Sequence, residues 1–132
     1  MTKLTLNQIK KKIKEAEALG ACDDDLYILK SLKSLDEYLE HPDAPYWIYW
    51  ICNETQKRWI DAEPFILTSL EYTFLYVSNI IKGRWKEAER IFLNSPYFSY
   101  LYAKNIIKGH WKEAEEIILN SPKQKDLVSL LQ

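Results

Sequence analysis

Three glutamates recur at intervals of 26 residues: Glu63, Glu89 and Glu115. Paired carboxylates can do acid–base work when they converge on one bond. A repeat instead sets equivalent residues in a row, about one helix-pair width or roughly 10 Å apart. The expected role of these carboxylates is therefore a helix cap, or an inter-repeat hydrogen bond from a Tyr hydroxyl or Trp N–H. The histidines are His41 and His110, and the cysteines are Cys22 and Cys52. No pair among them has ligand spacing such as C-x2-C or H-x3-H, and no neighbouring motif supports a Cys–His nucleophile. Both thiols read as buried side chains in a reducing cytoplasm. With only 3 glycines the chain has little to build a phosphate-cradling loop from. No metal, no cofactor and no enzymatic activity are expected.

The basic residues point to binding. Lys57 and Arg58, then Lys82, Arg84 and Lys86, then Lys108, His110 and Lys112 fall at corresponding turns of the repeat. Stacked repeats would line them into one positive edge. Acidic residues fall mostly elsewhere, at Asp23, Asp24, Asp25, Asp36, Glu37, Glu40 and Asp43. The net charge of −1 can thus conceal a dipolar surface. Such an edge would dock an acidic protein partner or nucleic acid, although the small total charge is a poor footprint for coating a nucleic acid. The competing reading is a solvated turn whose cations favour the negative ends of helices.

Aromatic residues make up 14% of the chain. At helical spacing Trp and Tyr usually form core. Tyr46, Trp47, Tyr49 and Trp50 are different, because four aromatics in five residues surround a helix and cannot all face one core. Whichever of Trp47 and Trp50 stays exposed would suit a binding hot spot.

The elements that must position these groups follow from an internal repeat. Residues 80–96 (IIKGRWKEAERIFLNSP) and 106–122 (IIKGHWKEAEEIILNSP) differ at three positions, with an offset of 26. A weaker copy lies 26 residues upstream, where Arg58-Trp59-Ile60-Asp61-Ala62-Glu63 matches Arg84-Trp85-Lys86-Glu87-Ala88-Glu89. Trp59, Trp85 and Trp111 form one column; Ala62, Ala88 and Ala114 another; Ser69, Ser95 and Ser121 a third; Tyr76 and Tyr102 a fourth. Each unit should be two short helices. Ser95-Pro96 is a cap followed by Pro at the first helical position. Helix A then spans about 70–82 and 96–108, ended by Gly83 and Gly109. Trp85 and Trp111 stand at the A–B turn, where each can pack on Ile91 or Ile117. Helix B spans about 61–69, 86–94 and 112–120. Asp61 is a plausible cap, and Pro64 must lie in a first turn.

The N-terminal third is helical too. Thr5 and Gln8 form a capping box, Leu6, Ile9, Ile13 and Ala16 form one stripe, and Gly20 ends it. Asp23–Asp25 open a second helix running to about Glu40. The run His41–Pro45 breaks the chain. Ser121-Pro122 begins a final capping segment with Leu127, Leu130 and Leu131. No signal-like apolar region starts the chain. The longest apolar stretch, Ala44–Cys52, is far short of the roughly 20 residues of a membrane span.

The strings Tyr100-Leu101-Tyr102-Ala103-Lys104-Asn105-Ile106-Ile107-Lys108-Gly109-His110-Trp111-Lys112-Glu113-Ala114-Glu115 and Asn94-Ser95-Pro96-Tyr97 resemble a short helical repeat of bacteriophage and mobile-element proteins. The segment from Ala18 to Leu32, followed by Asp43–Trp50, looks like a module found ahead of such repeats. The family carries no single reaction or ligand. The helix pairs are distantly similar to tetratricopeptide-like repeats in architecture alone.

The expected fold is all-α: a short right-handed solenoid of antiparallel helix pairs, about nine helices in one domain. Residues 1–43 form an N-terminal cap, 44–122 about three repeats, and 123–132 a C-terminal cap. The expected function is a non-enzymatic cytoplasmic protein-interaction module. If the resemblance holds, its partner is a host or defence protein, inhibited in the manner of an anti-CRISPR protein. The alternative is a nucleic-acid-binding repeat using the basic edge and aromatic stacking. Residues 57, 58, 82, 84, 86, 108, 110 and 112 with Trp47 and Trp50 are the candidate contacts. No membrane association is expected, and a monomer and a homodimer remain open.

Overall fold

A computed structural model describes residues 4–120. The described residues are helical, with no strand among them, so the fold is all-α. The chain divides into two compact units, Met1–Thr68 and Ser69–Gln132.

In the first unit, α1 (Leu6–Ala18) starts on the expected capping box. Thr5 Oγ1 accepts from the Gln8 N–H, and the Gln8 side chain accepts from the Thr5 N–H. The helix ends at Leu19, and Gly20 takes φ +91°, which favours glycine. α2 (Asp23–Ser31) is capped by Cys22, whose Sγ accepts from the Asp25 N–H and donates to Asp25 Oδ2. That capping role keeps Cys22 exposed, contrary to the expectation of a buried thiol, while Cys52 is buried.

The helix expected from Asp23 to Glu40 is two helices. α2 stops at Ser31, and α3 spans Leu35–Glu40. The break has a local cause. Ser34 Oγ accepts from the Glu37 N–H, and the Glu37 carboxylate reaches back to the Lys33 N–H. Those side chains give the backbone an alternative to continuing the helix. α4 (Ala44–Thr55) carries Pro45 in its first turn and buries Trp47, Ile48, Ile51 and Cys52. A 3-10 turn (Ile60–Ala62) leads into α5 (Glu63–Ile66), shorter than the expected 61–69. α1 packs on α2 and α4, α3 on α4, and α4 on α5.

In the second unit, α6 (Leu70–Tyr76) and α8 (Pro96–Tyr102) start on Ser69 and Ser95, whose hydroxyls accept from the N–H groups of Tyr72 and Phe98. Each continues into a wider π-helical turn, Val77–Ile81 and Ala103–Ile107. α7 (Lys86–Phe92) and α9 (Lys112–Leu119) follow the Trp residues. α6 packs on α7 and α8, α8 packs on α9, and the two wide turns meet. Like therefore stacks on like within this unit. The expected capping segment 123–132 lies outside the described residues.

The expected glycine caps are displaced by one residue. Lys82 N–H donates to the Val77 carbonyl, and Lys108 N–H to the Ala103 carbonyl, both at 2.7 Å. The left-handed residues are Lys82 (φ 58°) and Lys108 (φ 61°), whereas Gly83 and Gly109 lie outside that region. The wide turn takes one more residue into its final hydrogen bond, so the chain reverses at the lysine. Gln56, 26 residues before Lys82, is also left-handed (φ 54°). The backbone repeat thus extends to the end of α4, beyond the residue identities that advertise it.

A left-handed L-residue costs about 1–2 kcal/mol relative to the right-handed form. Lys82→Gly should therefore stabilise the protein by about 1 kcal/mol. Gly83→Ala should also stabilise it, by about 0.4–1 kcal/mol, because a Cβ there meets nothing within 4 Å. Urea unfolding measures both. Destabilisation by Gly83→Ala would mean that Gly83, not Lys82, turns the chain.

Candidate functional site

The A–B turns hold the predicted cations, and all eight basic side chains are exposed. Their surroundings differ. Arg58 Nε and Nη2 donate to the two oxygens of Glu63 at 2.7 and 2.8 Å. Arg84 makes the same fork to Glu89, both bonds at 2.9 Å. His110 Nδ1 lies 2.8 Å from Glu115 Oε1. The glutamate column and the middle basic column are therefore partners, five residues apart on one turn. The glutamate side chains are 8%, 17% and 40% exposed along the series.

Glu89 has a further partner. The Tyr102 hydroxyl donates to its Oε2 at 2.7 Å and accepts from the Trp85 N–H at 2.9 Å. Trp85 precedes α7, so that N–H is one of the donors a helix start leaves without an intrahelical acceptor. The Tyr102 ring lies against Phe92 and Trp111, with centroids 5.1 and 5.0 Å away. Nearby, the buried Ser99 hydroxyl donates to the Phe92 carbonyl at the end of α7. α8 thus ties down both ends of α7. A hydrogen bond from a Tyr hydroxyl was expected for this glutamate column; the Arg84 fork and the Ser99 bond were not. Arginine five residues before glutamate in two copies, Arg58 to Glu63 and Arg84 to Glu89, was the available signal for the fork.

These bonds set the acid–base character of the turn. Hydrogen bonding from Arg84 holds the Glu89 carboxyl below the usual carboxylate range, with Tyr102 adding to the effect and burial opposing it. Burial, then the hydrogen bond to Glu89, pushes the Tyr102 hydroxyl above its ordinary value. A carboxylate held in its charged form is a weak base, so this arrangement suits locking more than proton transfer.

The remaining cations are Lys57, Lys82, Lys86, Lys108 and Lys112, which make no ion pair among the described residues. Of the predicted turn cations in the second unit, the four lysines around two turns are those outside an ion pair among the described residues.

The tryptophans are also largely committed. Trp85 and Trp111 are buried, with rings against Tyr76 (5.5 Å) and Tyr102 (5.0 Å). Trp47 is buried too; its ring lies 4.5 Å from His41 and 5.6 Å from Tyr38, and its Nε1 reaches Asp25 Oδ1 at 3.5 Å. Trp50 is half-buried and, with Tyr46, Leu19, Cys22 and Glu54, lines a hollow of about 280 Å³. Of the two sequence candidates, Trp50 is the one with surface to offer. The larger aromatic surface was missed. Phe74, Leu75, Tyr97, Phe98 and Leu101, with Glu71 at the edge, line a hollow of about 520 Å³ between α6 and α8. Tyr97 is 52% exposed there. The available signal was the pair Tyr97-Phe98 at a helix start, since adjacent residues on a helix cannot both face one core.

Among the described residues, no group of three or more His, Cys, Asp or Glu side chains is placed to hold a metal ion. No described helix is long and apolar enough to cross a membrane.

The pH dependence of this turn follows from Glu89 and Tyr102. Glu89 contributes stability above its unfolded value of about 4.3, lost as pH falls through its lower folded value. Tyr102 contributes stability below its unfolded value of about 10, lost as pH rises through its higher folded value. Tyr102→Phe should cost about 1–3 kcal/mol at neutral pH, since it removes the hydroxyl that accepts from the Trp85 N–H and donates to Glu89 Oε2, an oxygen that keeps Arg84 Nε. Glu89→Gln should give a shallower acid limb. Denaturant titrations from pH 3 to 10 measure both, and an acid limb unchanged in Glu89→Gln would show that the fork does not couple to folding.

Comparison of the chain with protein-family models, with curated proteins and with solved structures found no match.

Proposed function

We propose that the chain is a non-enzymatic protein-interaction module. It is a cytoplasmic accessory protein of bacteriophage or mobile-element type that binds, and in the manner of an anti-CRISPR protein inhibits, a host or defence protein. The observation that carries this reading is a division of labour in the second unit. Arg84 and His110 face their own glutamates, while Phe74, Leu75, Tyr97, Phe98 and Leu101 present an unfilled apolar hollow. Aromatic side chains beside such a hollow are what hot spots are made of. Stacked short helices offer an extended surface of this kind more readily than a deep pocket. The family resemblance supports the choice of partner class.

The nucleic-acid alternative draws on Lys82, Lys86, Lys108 and Lys112. It lacks a stacking platform beside them, because Trp85 and Trp111 are only 6% and 3% exposed.

The test is a tagged pull-down from bacterial host lysate, with and without nuclease, using the wild type and two variants. Tyr97→Ala with Leu101→Ala should weaken capture of a specific protein by at least about tenfold, a loss typical of hot-spot residues. Alanine at Arg84, Lys86 and Lys108 should leave most of that capture in place. Capture that disappears with nuclease, and with the cation variant, would replace this reading by the nucleic-acid one.

A further inference from the structure

The first unit holds a groove of about 360 Å³ between α1 and the α2–α3 pair. One wall is the stripe Leu6, Ile9 and Ile13 of α1; the other is Leu29, Leu32 and Tyr38. Its size falls in the range of sites that engage a ligand. Three lysines line its rim. Lys10 and Lys14 stand one turn apart on α1, and Lys30 stands on α2. Lys30 pairs with Glu17, the one acidic residue of the lining, whereas Lys10 and Lys14 have no ion-pair partner among the described residues.

We propose that this groove binds an acidic amphipathic helix of a partner protein, apolar side chains down and carboxylates toward the lysines. The groove follows α1 from Leu6 to Glu17, about 16 Å along the axis at 1.5 Å per residue, which matches three turns of a docked helix. Its uncompensated positive charge, Lys10 and Lys14, is spread along the α1 wall, because Lys30 on the other wall is paired with Glu17. Carboxylates spaced along a helix meet such a rim at several points, whereas the single headgroup of a fatty acid would meet one. The chain's own outlying segments are poorly matched. Residues 1–3 carry Lys3, and residues 121–132 carry Lys123 and Lys125 against one acid, Asp126. This site is independent of the aromatic hollow on α6 and α8 and does not rest on that reading.

The probe is a fluorescein-labelled, amidated 14-residue peptide with Leu and Phe at i, i+3, i+4 and i+7 and Glu at the flanking positions. Anisotropy with the full chain should show saturable binding that weakens with added salt. Lys10→Glu with Lys14→Glu, two exposed positions, should lose at least about tenfold in affinity, equivalent to about 1.4 kcal/mol. A peptide with Lys in place of Glu should not bind. Leu32→Asn, checked for its native circular dichroism, should also weaken binding, and Tyr97→Ala should not. The proposal is overturned if the acidic peptide fails to bind at millimolar concentration, or binds equally well to the charge-reversed variant. It is likewise overturned if dodecanoate or anionic vesicles bind the groove where the peptide does not, or if light scattering shows a second copy of the chain occupying it.

Discussion

The Tyr102 hydroxyl is the junction on which the second unit depends. One oxygen takes the N–H that begins α7 and gives its own proton to Glu89. The ring beneath it is wholly buried between Phe92 and Trp111. A net hydrogen bond is worth about 1 kcal/mol, but leaving such groups buried and unpaired costs more than the bond gains. The register of α8 on α7 is therefore set by a polar contact inside an aromatic cluster. The aromatic cluster supplies most of the driving force, and the hydroxyl selects one arrangement from the many that aromatic packing alone would tolerate.

That junction also determines what the turn can offer a partner. Glu89 cannot sit ionised beside a buried ring without a counter-charge, and Arg84 supplies it in a planar two-bond fork. The same fork recurs at Arg58 and Glu63, and His110 replaces it by a single contact at Glu115. Cations that look like a docking edge in the sequence are thus partly the internal counter-ions of the repeat. What remains open to a partner is the lysine beside each pair. The other accessible features are apolar hollows: one lined by Phe74, Tyr97 and Phe98 on the second unit, and the lysine-rimmed groove of α1 on the first.

Trp47 shows the same logic in the first unit. It is the most buried part of an aromatic run that cannot all be inside, and it fills the space between His41, Tyr38 and Asp25. Trp50, three residues on, is half-buried and lines a hollow that Trp47 also borders. A three-residue step on a helix leaves two side chains about 60° apart, so Trp50 lies at the edge of the face that buries Trp47.

The sequence by itself determined the all-α class, the 26-residue repeat, the Thr5–Gln8 capping box, the Ser69 and Ser95 caps, and the equivalence of the glutamate column. These depend on local spacing and on groups three or four residues apart, which a linear reading contains. It missed the break at Leu32, although Ser34 and Glu37 carried the signal, because Leu26, Leu29, Leu32, Leu35 and Leu39 keep a helical spacing across it. Only the tertiary structure decided where the helices A reverse. The wide turns at Val77–Ile81 and Ala103–Ile107 move that point onto Lys82 and Lys108, and they are packed against one another. Only the tertiary structure, too, separated Trp47 from Trp50 and set Tyr102 on Glu89. Those outcomes depend on which residues meet across helices. A periodic pattern says which face of a helix is apolar, but not what the opposing helix brings to it.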